Sequence, residues 1–479
     1  MTMDFYMDKN INKWEQEFKE IELGDRRLKE RLIKVMNIIS KSPNKSILLA
    51  GGSRNNAKSI YRFLSNNRVS RDNIMEEVRK NTVKNIEQYI TQSTPAKDNI
   101  IILAVQDTTS ISYGYRNKID GIGYYCDSEM KGINTHSAIA VTNDGLVLGL
   151  LHQEYNTREC RSDKSETKDK KKRRIIEDKE SFRWLRTMKE ARKGITKETT
   201  LIHVCDREGD MYELFDLARK EDELFLVRIV QNRTTIDDKK IITSLKQEEV
   251  KGTLIINIAR NTRENIPARK ACMNYTYQQY EIKRPTTRKE GYVSETLKVT
   301  GIYVYEKTAT KTAKENKEAK ENKIEWLLLT NIEIKSDKEA IDIINYYVQR
   351  WKIERLHYIL KSGCKIEEKQ ISTYKKLCLV TLLYSLVAMK ILHLTYLGRI
   401  IPDLPCDLIL NEDEWKILYC LANKTKTIPK KPYTTKEALK YIGILAGFKG
   451  APSDDPPGVK LIWIGLEKLR FAIECKGLI

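Results

Sequence analysis

Two aspartates follow short apolar runs of the kind that form buried strands: Asp107 comes after residues 100–105 and Asp206 after residues 199–205. A third carboxylate, Glu354, lies in a segment with helical patterning. There Tyr347, Arg350, Glu354 and Lys361 recur at intervals of three, four and seven. At about 100° per residue the four fall within roughly 60° of one another, on a stripe about 21 Å long. A helix–helix seam would carry apolar residues at such positions. Here Ile344, Val348, Trp351 and Leu356 fall largely on other faces. An ordinary solvated helix face has the same look, and only the two aspartates set this one apart. Three carboxylates gathered in one place repel one another unless cations neutralise them. Mg²⁺ or Mn²⁺, hard and oxygen-seeking, suits such donors. Two ions about 3.5–4 Å apart can activate an attacking oxygen and stabilise a leaving one, which fits phosphodiester hydrolysis and transesterification. No side-chain nucleophile is needed, and the five His (136, 152, 203, 357 and 393) are too scattered for a His-based metal site.

The elements that would gather these residues form a recognisable order. After the first run, residues 136–142 (HSAIAVT) and 146–151 (LVLGLL) read as strands, with the hairpin signal Asn143-Asp144-Gly145 between them. A helix is expected at about 177–194, then the strand ending at Asp206. A further helix carries Met211, Leu214, Phe215 and Ala218, with Asp210 as its expected cap, and residues 224–230 (LFLVRIV) make a fifth strand. A meander followed by α-linked parallel strands is the order of the ribonuclease-H-like fold. In that fold the first and fourth strands are parallel neighbours, so Asp107 and Asp206 are expected at one sheet edge. Glu208 and Asp210 can serve as capping or supporting groups and are not assigned to the metal. Residues 236–325 turn polar and β-rich, with runs at 253–258, 275–282 and 297–305, and read as an all-β insertion whose solvated tip is 311–323. A long helix is expected from about 337 to 361, stopped by Gly363.

The fold class expected is therefore α/β. A ribonuclease-H-like catalytic core at 99–370, a mixed five-stranded sheet with helices, is flanked by a helical region at 1–98 and helices at 371–479. The latter are expected at 376–396, about 435–447 and about 460–474, the last following the Pro/Gly segment 449–458. The net charge of +20 and pI near 9.3 point to a polyanionic partner. Lys and Arg outnumber Asp and Glu by 19 to 13 over residues 1–100, and Arg26, Arg27 and Arg31 cluster after Gly24-Asp25 near a helix start. The basic run 168–174 (KDKKKRR) reads as a solvated loop or helix face, with direct DNA contact as the other reading. Nine Cys, none in a CxxC pair, read as reduced core residues. No apolar run approaches the roughly 18 residues of a membrane span, and residues 1–10 have no apolar signal pattern. A soluble, cytoplasmic protein is the expectation, with no membrane partner.

The string Y-x2-R-x3-E-x6-K, from Tyr347 through Lys361, resembles the signature of a family of bacterial insertion-sequence transposases of the DDE class. Further strings are similar to the cut-and-paste transposase of the composite kanamycin-resistance transposon: ELGDRR (22–27), IYRFL (60–64), LAVQDTTSISY (103–113), LLHQE (150–154), HVCDREGDMYEL (203–214) and EWLLLTN (325–331). The resemblance spans nearly the whole chain in order. It implies Asp107, Asp206 and Glu354 as the triad holding two Mg²⁺ or Mn²⁺ ions, and Tyr347, Arg350 and Lys361 as residues gripping double-stranded transposon-end DNA. It implies Trp326 as an aromatic that stacks in the DNA during hairpin formation, although before three Leu it also reads as a core aromatic. Arg26, Arg27 and Arg31 fall in the end-recognition region, where they also read as plain surface charge. The C-terminal helices match a region used for homodimerisation, and catalysis in trans is implied. Arg355 and Tyr358 depart from the pattern, where Glu and Lys are expected, and leave end-sequence specificity open. Two rivals differ in outcome: a nuclease or resolvase of the same fold that cuts without joining, and a non-catalytic DNA-binding inhibitor form.

Overall fold

A computed structural model of the chain describes residues 14–92, 100–114, 119–126, 129–159, 174–258, 269–288, 291–307, 323–451 and 454–476. The expectations for residues 1–10, for the basic run 168–174 except Arg174, and for the tip 311–323 except Lys323 lie outside them.

In chain order the elements are α1 (Trp14–Glu17), α2 (Arg26–Lys41), α3 (Ile47–Ala50), α4 (Arg54–Leu64), α5 (Arg71–Gln92), β1 (Ile101–Gly114), β2 (Lys131–Thr142), β3 (Val147–Asn156), α6 (Phe182–Arg192), β4 (Thr200–Cys205), α7 (Tyr212–Glu221), β5 (Leu224–Arg228), α8 (Ile241–Gln247), β6 (Gly252–Ile258), β7 (Arg269–Lys283), β8 (Thr296–Glu306), β9 (Glu325–Thr330), α9 (Asp337–Val348), α10 (Trp351–Tyr358), α11 (Tyr374–Ile400), α12 (Glu412–Asn423), α13 (Thr435–Leu445) and α14 (Val459–Lys476). They fall into two compact units. The first comprises Met1–Asp163, Glu190–Thr199 and Trp351–Ile479, and the second Lys164–Lys189 and Thr200–Arg350.

In the first unit β1, β2 and β3 form the expected antiparallel meander, turned by Asn143-Asp144-Gly145. The meander lies between helices. Helix α5 approaches β3 closely enough that Thr82 Oγ1 donates to the Leu150 carbonyl and Asn85 Nδ2 to that of Leu148, both at 2.9 Å. Gly149 permits this approach, because a Cβ there would stand 2.3 Å from Thr82 Oγ1. Helix α11 corrects one sequence expectation. Its 27 residues contain an 18-residue window with mean hydropathy 2.0, long and apolar enough to cross a membrane. That window is 94% buried within the protein, so α11 is apolar on all sides because protein surrounds it. Among its polar residues, Ser385 Oγ accepts from Gln153 Nε2 at 3.1 Å.

In the second unit the strand order is β4-β5-β9-β8-β7-β6, parallel between β4 and β5 and antiparallel elsewhere. Helices α6 and α7 cover it through Trp184, Met188, Leu214 and Phe215, with Phe215 stacked on Phe225 at 4.7 Å between centroids. The segment expected as an all-β insertion is not wholly β. Its strands β6–β8 cover the three runs expected at 253–258, 275–282 and 297–305 and continue the sheet outward from β9. It also holds α8, which buries Ile241 and Leu245. The free edge of β9 offers unpaired backbone groups, and β8 satisfies them.

Candidate active site

Asp107 lies in the middle of β1 rather than past its end. The residues after it are rich in β-branched types and bury Ile111 and Tyr113 in alternation, so pairing with β2 continues through Asp107 opposite Ser137 to Gly114 opposite Lys131. Asp107 Oδ1 accepts the Thr108 N–H at 2.8 Å. Its Oδ2 stands 3.9 Å from Nδ1 of His357 on α10, beyond hydrogen-bond range. Burial, reinforced by the Lys361 cation, pushes the His357 imidazole down to about 3. The ring is therefore neutral around pH 7, and the contact is not an ion pair. Glu354 is exposed one turn earlier on the same helix, which packs against β1. Thus α10 brings Glu354 and His357 to the strand that carries Asp107. In the sequence the five His are scattered along the chain, and nothing there singles out His357.

Lys361 points to the same strand. Its Nζ donates to the Ser110 carbonyl at 2.7 Å and lies 3.6 Å from Glu367. Glu367 accepts the Ser112 N–H at 2.9 Å, and the Tyr113 hydroxyl donates to the Ile366 carbonyl at 2.8 Å. These bonds strap the outer half of β1 to the π-helical turn Ile359–Gly363 and to the 3₁₀ turn Ile366–Glu368.

The long helix expected from 337 to 361 is two helices. Gln349 and Arg350 make i→i+3 bonds to Tyr346 and Tyr347, tightening the chain for one turn before α10 begins, at the boundary of the two units. Of the four residues of the stripe, Tyr347 and Arg350 belong to the second unit, Glu354 and Lys361 to the first.

In the second unit Asp206 directly follows β4, as expected. It caps the 3₁₀ turn Arg207–Gly209 by accepting the Glu208 N–H at 2.8 Å. Burial pushes its carboxyl above the usual range, against the opposing pull of that N–H and of the nearby Arg350 cation. Tyr347 is buried, with its ring set edgewise on Trp326 at 5.4 Å and the Arg350 guanidinium 5.7 Å from its centroid. Burial pushes its phenol up, and Arg350 and Arg228 oppose the shift. Arg228 and Arg207 thus join Arg350 in the electrostatic surroundings of Asp206, and no spacing in the sequence marks either of them. Trp326 is 4% exposed on β9, in the place of a core aromatic. Asp210 does not cap α7, whose cap is Met211. Its Oδ2 accepts the N–H groups of Val230 and Gln231 at 2.7 and 2.8 Å, and its Oδ1 pairs with Arg233 at 2.5 Å. This tethers the turn after Asp206 to the chain leaving β5.

Arg26, Arg27 and Arg31 are exposed on α2, which Asp25 caps. Arg26 pairs with Glu30 at 2.9 Å, and Arg31 donates to Ser59 Oγ at 2.7 Å, so α2 and α4 present one polar surface. Within each unit, among the described residues, no group of three or more His, Cys, Asp and Glu side chains is arranged to hold a metal ion. Asp107 and Glu354 belong to one unit and Asp206 to the other.

Residues 11–69, which include α1 to α4, match the family described as transposase DNA-binding. Residues 386–477, from within α11 into α14 and beyond, match the family described as the Tn5 transposase dimerisation domain. Both ends of the chain match transposase domains. Among solved structures the chain is similar to a piggyBac transposase synaptic complex with hairpin DNA, at 11% identity over 82% of this chain and 72% of that one. The TM-score is 0.34.

Proposed function

We propose that the protein is a cut-and-paste DNA transposase of the Tn5 type, with a ribonuclease-H-like catalytic core and a carboxylate triad of Asp107, Asp206 and Glu354. The observation that carries this reading is that transposase DNA-binding and dimerisation domains flank, in one chain, the segment holding all three carboxylates. The donor chemistry suits hard divalent cations: Glu354 is exposed, Asp107 is half-buried, and the imidazole beside Asp107 is neutral and adds no competing charge. Mg²⁺ or Mn²⁺, two ions per site, would supply Lewis acidity and an activated oxygen nucleophile when bound by these carboxylates.

The chain's own residues do the rest. Exposed arginines on α2 bind the transposon end through its phosphates. The strap from Lys361 and Glu367 holds the strand of Asp107 to the turns Ile359–Gly363 and Ile366–Glu368 that follow α10. Arg207, Arg228 and Arg350 provide positive charge around Asp206, where a scissile phosphate would be neutralised. The reaction is a series of in-line displacements at phosphorus. Water cleaves one strand, the released 3′-hydroxyl attacks the opposite strand to close a hairpin, a second hydrolysis opens it, and the 3′-hydroxyl then attacks target DNA. Two copies, paired through their C-terminal helices, hold the two ends, each copy cutting the end its partner binds, and the protein works on chromosomal DNA in the bacterial cytoplasm.

Glu354→Gln tests the reading. Cleavage of an end-bearing duplex in Mg²⁺ is expected to vanish while end binding in a gel-shift assay is retained. A variant that still cuts removes Glu354 from the site. Strand-transfer products from a pre-cleaved end separate a transposase from a nuclease that only cuts.

A further inference from the structure

The connection between α12 and α13 carries charge of one sign. From Lys424 to Ala451 there are seven lysines, at 424, 426, 430, 431, 436, 440 and 449, and one acidic residue, Glu437. All seven are exposed. Glu437 is committed to a capping box: it accepts the N–H of Thr434 at 2.9 Å and its hydroxyl at 2.8 Å, while Thr434 accepts the Glu437 N–H. Its carboxylate is therefore held at the helix end. Asp403 and Asp407 flank the bridge between Pro405 and Thr434, and Asp454 accepts the Ala451 N–H at 2.8 Å, while the connection itself, from Lys424 to Thr434, has four lysines and no carboxylate.

The loop is rigidly mounted. Lys424 holds a left-handed φ of 52° and closes α12 by donating its N–H to the Cys420 carbonyl. The ring of Tyr433 packs edgewise on Trp415 and Tyr441, and its hydroxyl donates to the Trp415 carbonyl at 2.8 Å. Lys436 and Lys440 stand one turn apart on one face of α13. Lys436 sits in the first turn, where the helix dipole disfavours a cation. An exposed cationic loop, anchored at both ends and carrying no carboxylate of its own, fits a polyanion of regular charge spacing.

We propose that the α12–α13 lysine loop is a second DNA-backbone contact, separate from the matched DNA-binding domain at residues 11–69, and that it holds duplex without reading its sequence. The contact has no dependence on the carboxylate triad, so it stands or falls apart from the proposed catalysis.

The test uses the full-length protein and a fluorescent duplex of random sequence lacking transposon ends, with anisotropy titrations from 50 to 300 mM NaCl. The variant replaces Lys424, Lys426, Lys430 and Lys431 by Gln, all exposed, with light scattering to confirm the oligomeric state of the parent. Each lost phosphate contact lowers the slope of log K against log salt by about 0.9. Loss of two to four contacts therefore predicts a slope smaller by about 2–4 and at least tenfold weaker binding at 100 mM salt. The preference for end-bearing duplex over random duplex should persist. An unchanged slope overturns the proposal. So does a loss of binding that tracks a loss of self-association, or a variant that keeps DNA binding but no longer binds vesicles containing phosphatidylglycerol, which would assign the loop to an anionic membrane.

Discussion

Replacing Lys361 by Met distinguishes a lysine that waits for DNA from one that already holds the protein together. The ammonium donates to the Ser110 carbonyl at 2.7 Å and sits 3.6 Å from Glu367, with a third of the side chain exposed. A hydrogen bond from a charged donor contributes about 1.5–3 kcal/mol, and an exposed ion pair adds 0–1 kcal/mol. Discounting for the exposed third, Lys361→Met should cost about 1–2 kcal/mol, a fall of a few degrees in the midpoint of the first unit's unfolding. The loss should be local. Ser112, whose N–H is held by Glu367, and its neighbours on the outer half of β1 should gain amide exchange, while residues 102–106 in the buried half keep their protection. Differential scanning calorimetry and hydrogen exchange of the metal-free, DNA-free protein read both effects. If stability and exchange match the parent while affinity for end-bearing duplex falls, the strap is not what Lys361 does, and the positioning of Asp107 through it is wrong.

Three other perturbations follow from the same reasoning. Arg233→Met strands the Asp210 carboxylate, whose side chain is 1% exposed, and should destabilise the second unit by about 3–5 kcal/mol in denaturant unfolding, whereas a loss under 1 kcal/mol would mean that the two backbone N–H groups suffice. Lys390, its side chain 14% exposed and its ammonium 3.7 Å from the Trp14 ring centroid, is pushed down to about 8 by desolvation. Between about pH 8 and 10.5 the unfolded chain holds a proton the folded one has released, so parental stability should rise by on the order of 3 kcal/mol relative to Lys390→Met, and parallel pH profiles would refute the shift. Trp326→Ala should cost about 3–5 kcal/mol because the indole is packed on Tyr347. Trp326→Phe keeps most of that packing and is the variant in which slowed hairpin formation with intact nicking would show a DNA-stacking role; equal loss of both steps would refute it.

What the sequence made legible were elements whose signals are local. The runs ending at Asp206 and at Val105 are apolar enough to be strands wherever they sit, and Asn143-Asp144-Gly145 requires a tight turn whatever surrounds it. What stayed hidden depends on partners. The strand through Asp107 outlasts its apolar run because β2 continues to pair with it and because Lys361 and Glu367 hold its outer half. The break at Gln349 and Arg350 has no Gly or Pro to announce it, since a single tightened turn changes two hydrogen bonds and no residue preference. Helix α11 mimics a membrane span because a helix wrapped by protein and one wrapped by lipid bury the same side chains. The break also changes what the Tyr347–Lys361 string means. On one helix it would be a single contact stripe. Split at residue 350, it sets Tyr347 and Arg350 with Asp206 in one unit and Glu354 and Lys361 with Asp107 in the other. Each unit then carries an acidic residue at a strand with a cation near it. If both units serve one active centre, the turn at Gln349–Arg350 is the stretch whose stiffness matters. Inserting a single Ala after Gln349 should therefore abolish cleavage while leaving both the exchange protection of β1 and the unfolding of the second unit intact.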